Sequence, residues 1–308
     1  MKQIRSFLFV PGNKPAWIEK SREAGADALI LDLEDSVPET EKDVAREAVG
    51  SRIEALAKAG IRVYVRINKG AFIYSFKDLC AVIRHGLEGV VIPKPEGIED
   101  VDLAHRMIAE AEAEVGLPIG SIGLVPTLET AKALQSAHQI ACHSRVTSIL
   151  CASARNGDVQ RSIGYQWTEE GLESLHFKSA AVIAARAAGK QPIAGLWQDV
   201  QDLEGFARSV ALHRQLGFSG ELLIHPSHVA KANAAYRPSA EDLAYYTGMV
   251  EAYEVAKAQG RGAVTYQGEH IDSAHYRTAC SILEIPNAAR SFGQVNHRPR
   301  LNEEHRDE

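Results

Sequence analysis

The sequence predicts an α/β protein of the (β/α)8 TIM-barrel class, and three observations predict it. Short apolar runs of β character alternate with longer segments of helical period, eight such runs occur, and several of the intervening segments are closed by glycine. The runs are residues 4–10, 26–34, 62–68, 89–94, 121–129, 147–153, 192–200 and 220–226. A doubly wound open sheet uses the same alternation but rarely needs eight near-equal units, so the closed barrel is expected.

Helical segments are predicted at 14–24, 39–58, 75–85, 98–115, 130–139, 168–188 and 202–216. Gly25, Gly60, Gly86, Gly116, Gly189 and Gly217 stand where these segments should stop, because glycine takes the left-handed conformation that caps a helix at little cost. The character changes after the eighth run. Ser239, followed by Glu241 and Asp242, reads as a helix N-terminus and Gly260 as its stop. The stretch RGAVTYQGEHIDSAHYRTA, 261–279, reads as a hairpin-like turn and a further helix. The expected organisation is a barrel over 1–232, a C-terminal segment over 233–286 and a polar, mobile tail over 287–308.

Composition narrows the function. The 308 residues are 45% hydrophobic and 24% charged, enough for a large core, and the net charge of −6 comes from interspersed acids and bases. Such a surface has no electrostatic footprint for nucleic acid or an anionic membrane, so small-molecule chemistry is expected. Cys80, Cys142, Cys151 and Cys280 are scattered without a CxxC pair, which fits reduced thiols and a cytoplasmic location. No apolar run approaches the roughly 20 residues of a membrane span, and MKQIRSFLFVPG lacks the features of a signal peptide.

Barrel chemistry belongs to the C-terminal ends of strands. Run two ends in Glu34 and Asp35, run three in Arg66, run four in Lys94, run five in Glu129, the loop after run six holds Asp158, and run eight ends in His225. Each has an ordinary explanation alone: Glu129, for instance, suits the positive end of the next helix, and Arg66 suits a salt bridge to Glu34 or Asp35. Together they place charge from six strands at one mouth. LILDLEDSVP, with Asp32, Glu34 and Asp35 within four residues, is costly unless cations sit among those carboxylates. Oxygen ligands without histidine or cysteine at zinc spacing suit Mg2+, and Glu129 with Asp158 is the economical pair. Arg66 then offers a planar fork for a substrate carboxylate. Lys94 as a Schiff-base lysine is disfavoured by acidic neighbours that hold it charged. A P-loop, a dinucleotide fingerprint, HExxH and GxSxG are all absent.

The stretches RSFLFVPGNKP, DALILDLEDSVP, VRIN, VIPKPE, PTLETA, Asp158 to Gly164, IHPSHV and GRGAVTYQGEHIDSAHYRTA resemble, in order, the citrate lyase β-subunit-like proteins of the HpcH/HpaI aldolase type, which include malyl-CoA and citramalyl-CoA lyases. The resemblance implies a TIM barrel whose C-terminal extension is a lid over a neighbouring subunit, in a homotrimer or hexamer. It implies Glu129 and Asp158 as Mg2+ ligands, Arg66 as the binder of the oxo-acid, and Glu34 and Asp35 near the metal water and that arginine. It further implies Asp272 as an acid/base group delivered in trans, and Arg5 and Lys14 at the phosphates of coenzyme A. The implied reaction is a Mg2+-dependent retro-Claisen cleavage of a carboxylated 3-hydroxyacyl-CoA into an oxo-acid and an acyl-CoA. Thioester hydrolysis, a citryl-carrier-protein lyase β subunit and a non-catalytic barrel are the alternatives. Two departures bear on the acyl substrate: Arg155, Asn156 and Gly157 precede Asp158 where the family commonly has Gly-Ala-Glu, and His228 stands where glutamine is usual.

Overall fold

In the computed structural model, which describes residues 3–283, the eight apolar runs become eight parallel strands: β1 (Ser6–Pro11), β2 (Ala28–Asp32), β3 (Arg62–Arg66), β4 (Leu87–Ile92), β5 (Gly123–Pro126), β6 (Ser148–Ala152), β7 (Gln191–Gly195) and β8 (Glu221–Leu223). They pair in the order β5-β4-β3-β2-β1-β8-β7-β6. The two ends of this order meet through single bridges, Leu124 with Val146 and Thr127 with Leu150. Leu124 N donates to Arg145 O at 3.0 Å and Leu128 N to Leu150 O at 2.7 Å, so the ring closes between β5 and β6.

Two shells of apolar side chains explain why the runs carry little alternation. Phe7, Ile30, Tyr64, Val125, Leu150 and Ile193 fill the inside of the barrel. Leu8, Leu31, Val63, Val90 and Ile149 face outward into a second core under the helices. Those helices are α1 (Pro15–Ser21), α2 (Lys42–Gly50), α3 (Ile53–Lys58), α4 (Phe76–Val82), α5 (Ile98–Glu114), α6 (Ala131–Gln135), α7 (Ala137–Cys142), α8 (Asp158–Ile163), α9 (Leu175–Ala187), α10 (Leu203–Leu216) and α11 (Val229–Ala235).

The predicted helix at 39–58 is instead a 3-10 turn, α2 and α3. The break falls after Gly50, a weak helix former, where Ser51 Oγ turns back to the Ala48 carbonyl at 3.2 Å. A Cβ at Gly50 would lie 2.5 Å from the Ala81 carbonyl of α4, so that helix approaches where only glycine fits. The segment at 130–139 likewise divides at Ser136. Gly217, with φ of +98°, ends α10 as the expected left-handed cap.

The chain divides into two units after Tyr236. In the second, α12 (Ala240–Ala258) starts from a capping box between Ser239 and Asp242. An antiparallel hairpin, β9 (Ala263–Tyr266) and β10 (Glu269–Asp272), leads into α13 (Ser273–Ile282). Met249, Tyr253, Ile271, Ala279 and Cys280 form this unit's own core. The tail expected at 287–308 lies outside the described residues. No described helix is long and apolar enough to cross a membrane. All four cysteines are free thiols.

Candidate active site

Register assembles the charged mouth. Asp32 and Arg66 are partners in the β2–β3 ladder, so both chains end their strands side by side. Arg66 Nε and Nη2 donate to the two oxygens of Asp32, each at 2.7 Å. Its Nη1 lies 2.9 Å from Glu34 Oε2 and 4.0 Å from Asp35 Oδ2. The Phe9 ring of β1 covers the guanidinium, 4.8 Å from Cζ to its centroid. Asp32 also accepts from Ser36 Oγ at 2.6 Å and from Glu34 N at 3.0 Å. Burial opposes its ionisation, but Arg66, Ser36 and the Glu34 amide prevail and hold it below the usual carboxylate range. Gly12 fits behind this pair: its N–H donates to the Asp32 carbonyl at 2.8 Å, and a Cβ there would come within 2.6 Å of that oxygen.

Lys94, after β4, is the second organising cation. Its Nζ donates to Glu34 Oε1 at 2.5 Å, reaches Asp35 Oδ2 at 3.2 Å and lies 3.5 Å from Asp158 Oδ2. Burial works against the ammonium, but Glu34 first, with Glu129 and Asp35, raises it and keeps it charged. A lysine so held is no amine nucleophile. Lys94 has a φ of +48°, a conformation costing an ordinary residue about 1 kcal/mol. Its own amide offsets that cost by donating to Glu129 Oε1 at 2.8 Å.

Glu129 is 7% exposed and, alone among the five carboxylates at this mouth, has no ion-pair partner among the described residues. Burial, reinforced by the charge of Glu34 and opposed by Lys94 and Arg66, pushes it up to about 7. Glu34 is also raised, by burial first, against the pull of Arg66 and Lys94. Asp158, the first residue of α8, is held by Arg161 one turn on and by Lys94.

Arg66, Glu34, Asp35, Glu129 and Asp158 are thus brought to one mouth. Exposed Lys14, just before α1, follows β1 at the same end. Arg5 does not join them. It precedes β1, at the opposite end of the barrel, with its guanidinium on Asp27 at 2.6 and 2.7 Å. Asp272 belongs to the second unit, where it caps α13 and pairs with His275 Nδ1 at 2.8 Å. His275 first, and then the cap N–H groups, hold its carboxyl below the usual range. His225 is exposed, its Nδ1 2.7 Å from Ser227 Oγ. His228 is buried and stacked on Phe206, ring centroids 4.2 Å apart, so its role is packing. Arg155 stacks over Trp167 at 5.8 Å and has no ion pair among the described residues.

A family model described as HpcH/HpaI aldolase/citrate lyase matches residues 5–226. The chain belongs to this family. The citrate lyase subunit beta of Haemophilus influenzae is 33% identical over 285 residues, 92% of this chain and 97% of that protein. A (3S)-malyl-CoA thioesterase of Cereibacter sphaeroides is 29% identical, over 94% of this chain and 96% of its own. The crystal structure of CitE from Mycobacterium tuberculosis in complex with magnesium, acetoacetate and coenzyme A is 26% identical and has a TM-score of 0.72. That match covers 92% of this chain and 97% of CitE.

The donor set of this HpcH/HpaI-family chain fits magnesium. Among the described residues no three carboxylate, histidine or cysteine side chains form a cage. A hard ion that takes one or two carboxylates and leaves its other positions to water and substrate oxygens does not need one. Glu129 is the observation that carries the fit: a buried carboxylate with no cation against it and a second oxygen, Oε2, without a hydrogen bond among the described residues. Asp158, across the β5–β6 junction, would be its companion.

Proposed function

We propose that this protein is a Mg2+-dependent carbon–carbon lyase that cleaves a short carboxylated 3-hydroxyacyl-CoA, such as malyl-CoA or citramalyl-CoA, into an oxo-acid and an acyl-CoA. The observation that carries this reading is one mouth in which a guanidinium, Arg66, stands beside a buried carboxylate lacking a cation, Glu129. The magnesium-bound CitE structure and the citrate lyase relatives support it.

Glu129 and Asp158 would hold the ion, whose positive charge lowers the pKa of the substrate hydroxyl and steadies the carbonyl that replaces it. Arg66, fixed by Asp32 and Glu34, receives the carboxylate of the departing oxo-acid. Lys94 keeps Glu34 and Asp35 ordered around that arginine. As the hydroxyl gives up its proton to water, the bond between C2 and C3 breaks and leaves its electron pair on C2 as the thioester enolate, and a proton must return to that carbon. Asp272, brought by the second unit of a neighbouring copy in a homo-oligomer, would make this transfer with a proton it has taken from water. Its ionised form is the one that removes the same proton in the condensing direction. Lys14, exposed at the same end of the barrel, would meet the phosphates of coenzyme A.

Thioester hydrolysis is the second reading, favoured by the malyl-CoA thioesterase relatives. Incubation of the purified protein with Mg2+ and malyl-CoA or citramalyl-CoA separates the two. Oxo-acid with acyl-CoA establishes the lyase; intact hydroxy acid with free coenzyme A establishes the hydrolase. Glu129→Ala or Asp158→Ala should abolish turnover with the circular dichroism spectrum unchanged, and turnover indifferent to EDTA would refute the metal assignment.

A further inference from the structure

Beside α9 and α10 lies a cavity of about 370 Å³, bordered by residues of the 167–173 loop and by Ser153, Leu196 and Trp197 after β6 and β7. Its volume is in the range of small-molecule sites, about 300 to 1,000 Å³. Lys178, His213 and Trp197, all buried, each line it with a nitrogen that has no partner among the described residues, and Glu169, Glu170, Glu173 and Arg208 line it as well. Lys178 of α9 is 5% exposed, yet its ammonium makes no hydrogen bond or ion pair among the described residues. His213 of α10 is 1% exposed, and its Nε2 is unpaired. The indole Nε1 of Trp197, a residue 9% exposed, is unpaired as well.

Such groups are expensive to leave alone. An unsatisfied buried donor or acceptor costs about 1 to 3 kcal/mol, and a buried charge more. The acids whose charges act on Lys178 are engaged elsewhere: Glu221 accepts from Tyr236 Oη at 2.8 Å and pairs with His213 Nδ1 at 3.0 Å, and Glu173 binds Thr168. Burial therefore prevails over Cys151, Glu221 and Glu173 and pulls the Lys178 amine below its usual range. The Glu221 carboxylate holds Nδ1 of His213 and so fixes the ring, with Nε2 on its opposite side. Leu196, Leu212 and the two indoles of Trp167 and Trp197 supply apolar walls. Those walls suit an organic body better than bare inorganic phosphate.

We propose that this cavity is a second ligand site, which takes a small organic carboxylate whose anionic group is received by Lys178, His213 and the Trp197 indole N–H. The site is independent of the lyase assignment, because none of Arg66, Glu34, Asp35, Lys94, Glu129 and Asp158 lines it.

The sequence provides its own reporter, since Trp167 and Trp197 line the cavity and Trp17, the third tryptophan, does not. Full-length protein labelled with 15N-tryptophan, kept in EDTA, is titrated with butyrate while the three indole N–H resonances are followed. The Trp197 signal is assigned by its loss in Trp197→Phe. It should move saturably with butyrate and much less with equimolar phosphate, and the apparent affinity should fall at least tenfold in Lys178→Met and in His213→Gln. The proposal is overturned by a Trp197 signal that does not move, by an equal or greater response to phosphate, or by a butyrate response undiminished in both variants. Should Lys178→Met not fold, the titrations of the unsubstituted protein and of His213→Gln decide the matter.

Discussion

Arg66 and Asp32 close a two-pronged ion pair at matched 2.7 Å distances, and they are also register partners in adjacent strands. Backbone pairing and side-chain fork therefore fix the same orientation. The guanidinium reaches the mouth already ordered, so substrate binding need not supply that ordering. Arg66→Lys keeps the charge and loses the fork. The expected result is a fall in kcat/KM on the order of 10² to 10³, the size seen when one positioned donor is removed. Asp32→Asn instead leaves a buried guanidinium short of a counter-charge and should cost about 3 to 5 kcal/mol, read from urea unfolding.

The raised carboxyl of Glu129 ties metal affinity to pH. Its ordinary value near 4.5 is pushed up to about 7, so the folded protein without metal holds a proton there between these limits. This group's contribution to stability is present at low pH and is lost as pH rises through about 7, because the buried carboxylate must then ionise. Mg2+ needs the ionised form. Affinity by titration calorimetry should therefore drop about tenfold per pH unit below 7. Added Mg2+ should raise the melting temperature more at pH 8 than at pH 6, and Glu129→Gln should remove that difference.

Asp272 caps a helix and is also proposed to move a proton, and one substitution separates the roles. Asparagine caps as well as aspartate, so Asp272→Asn should leave the melting temperature unchanged while turnover is lost. A parallel fall in both would mean that the residue serves only the fold.

At the other end of the barrel, Arg145 and Glu112 form an ion pair at 3.0 Å, 2% and 0% exposed. Glu112 also accepts the amides of Gly120 and Ile122. Glu112→Gln strands the buried arginine and should lower stability by about 3 to 5 kcal/mol in urea unfolding. Turnover per folded molecule should stay the same, because these residues stand far from the mouth.

The eight strands were legible because a barrel buried on both faces needs apolar runs, and their ends located the mouth. Helix interruptions were less so: the break after Gly50 depends on how closely α4 approaches, which no local pattern states. Lys94 was weighed as a nucleophile and is instead the cation that ties Glu34, Asp35 and Asp158 together. Its left-handed backbone, which aims the amide at Glu129, is invisible in a sequence. Asp32 is visible in the sequence as part of the acidic cluster, but its pairing with Arg66 follows from the strand register, in which runs two and three align by their ends. Arg5 carried a readable warning, since a residue that opens a strand stands at the far end from one that closes it.

The junction between β5 and β6 has only isolated bridges, where most other strand pairs form ladders of three to five residue pairs. Glu129 follows one of these strands and Asp158 the other. An ion shared by the two would act as a rivet across this sparsely bridged joint, so catalysis and mechanical closure would draw on a single bond set. Amide exchange in β5 and β6 should accordingly slow when magnesium is supplied, while the β1–β2 ladder on the far wall stays indifferent.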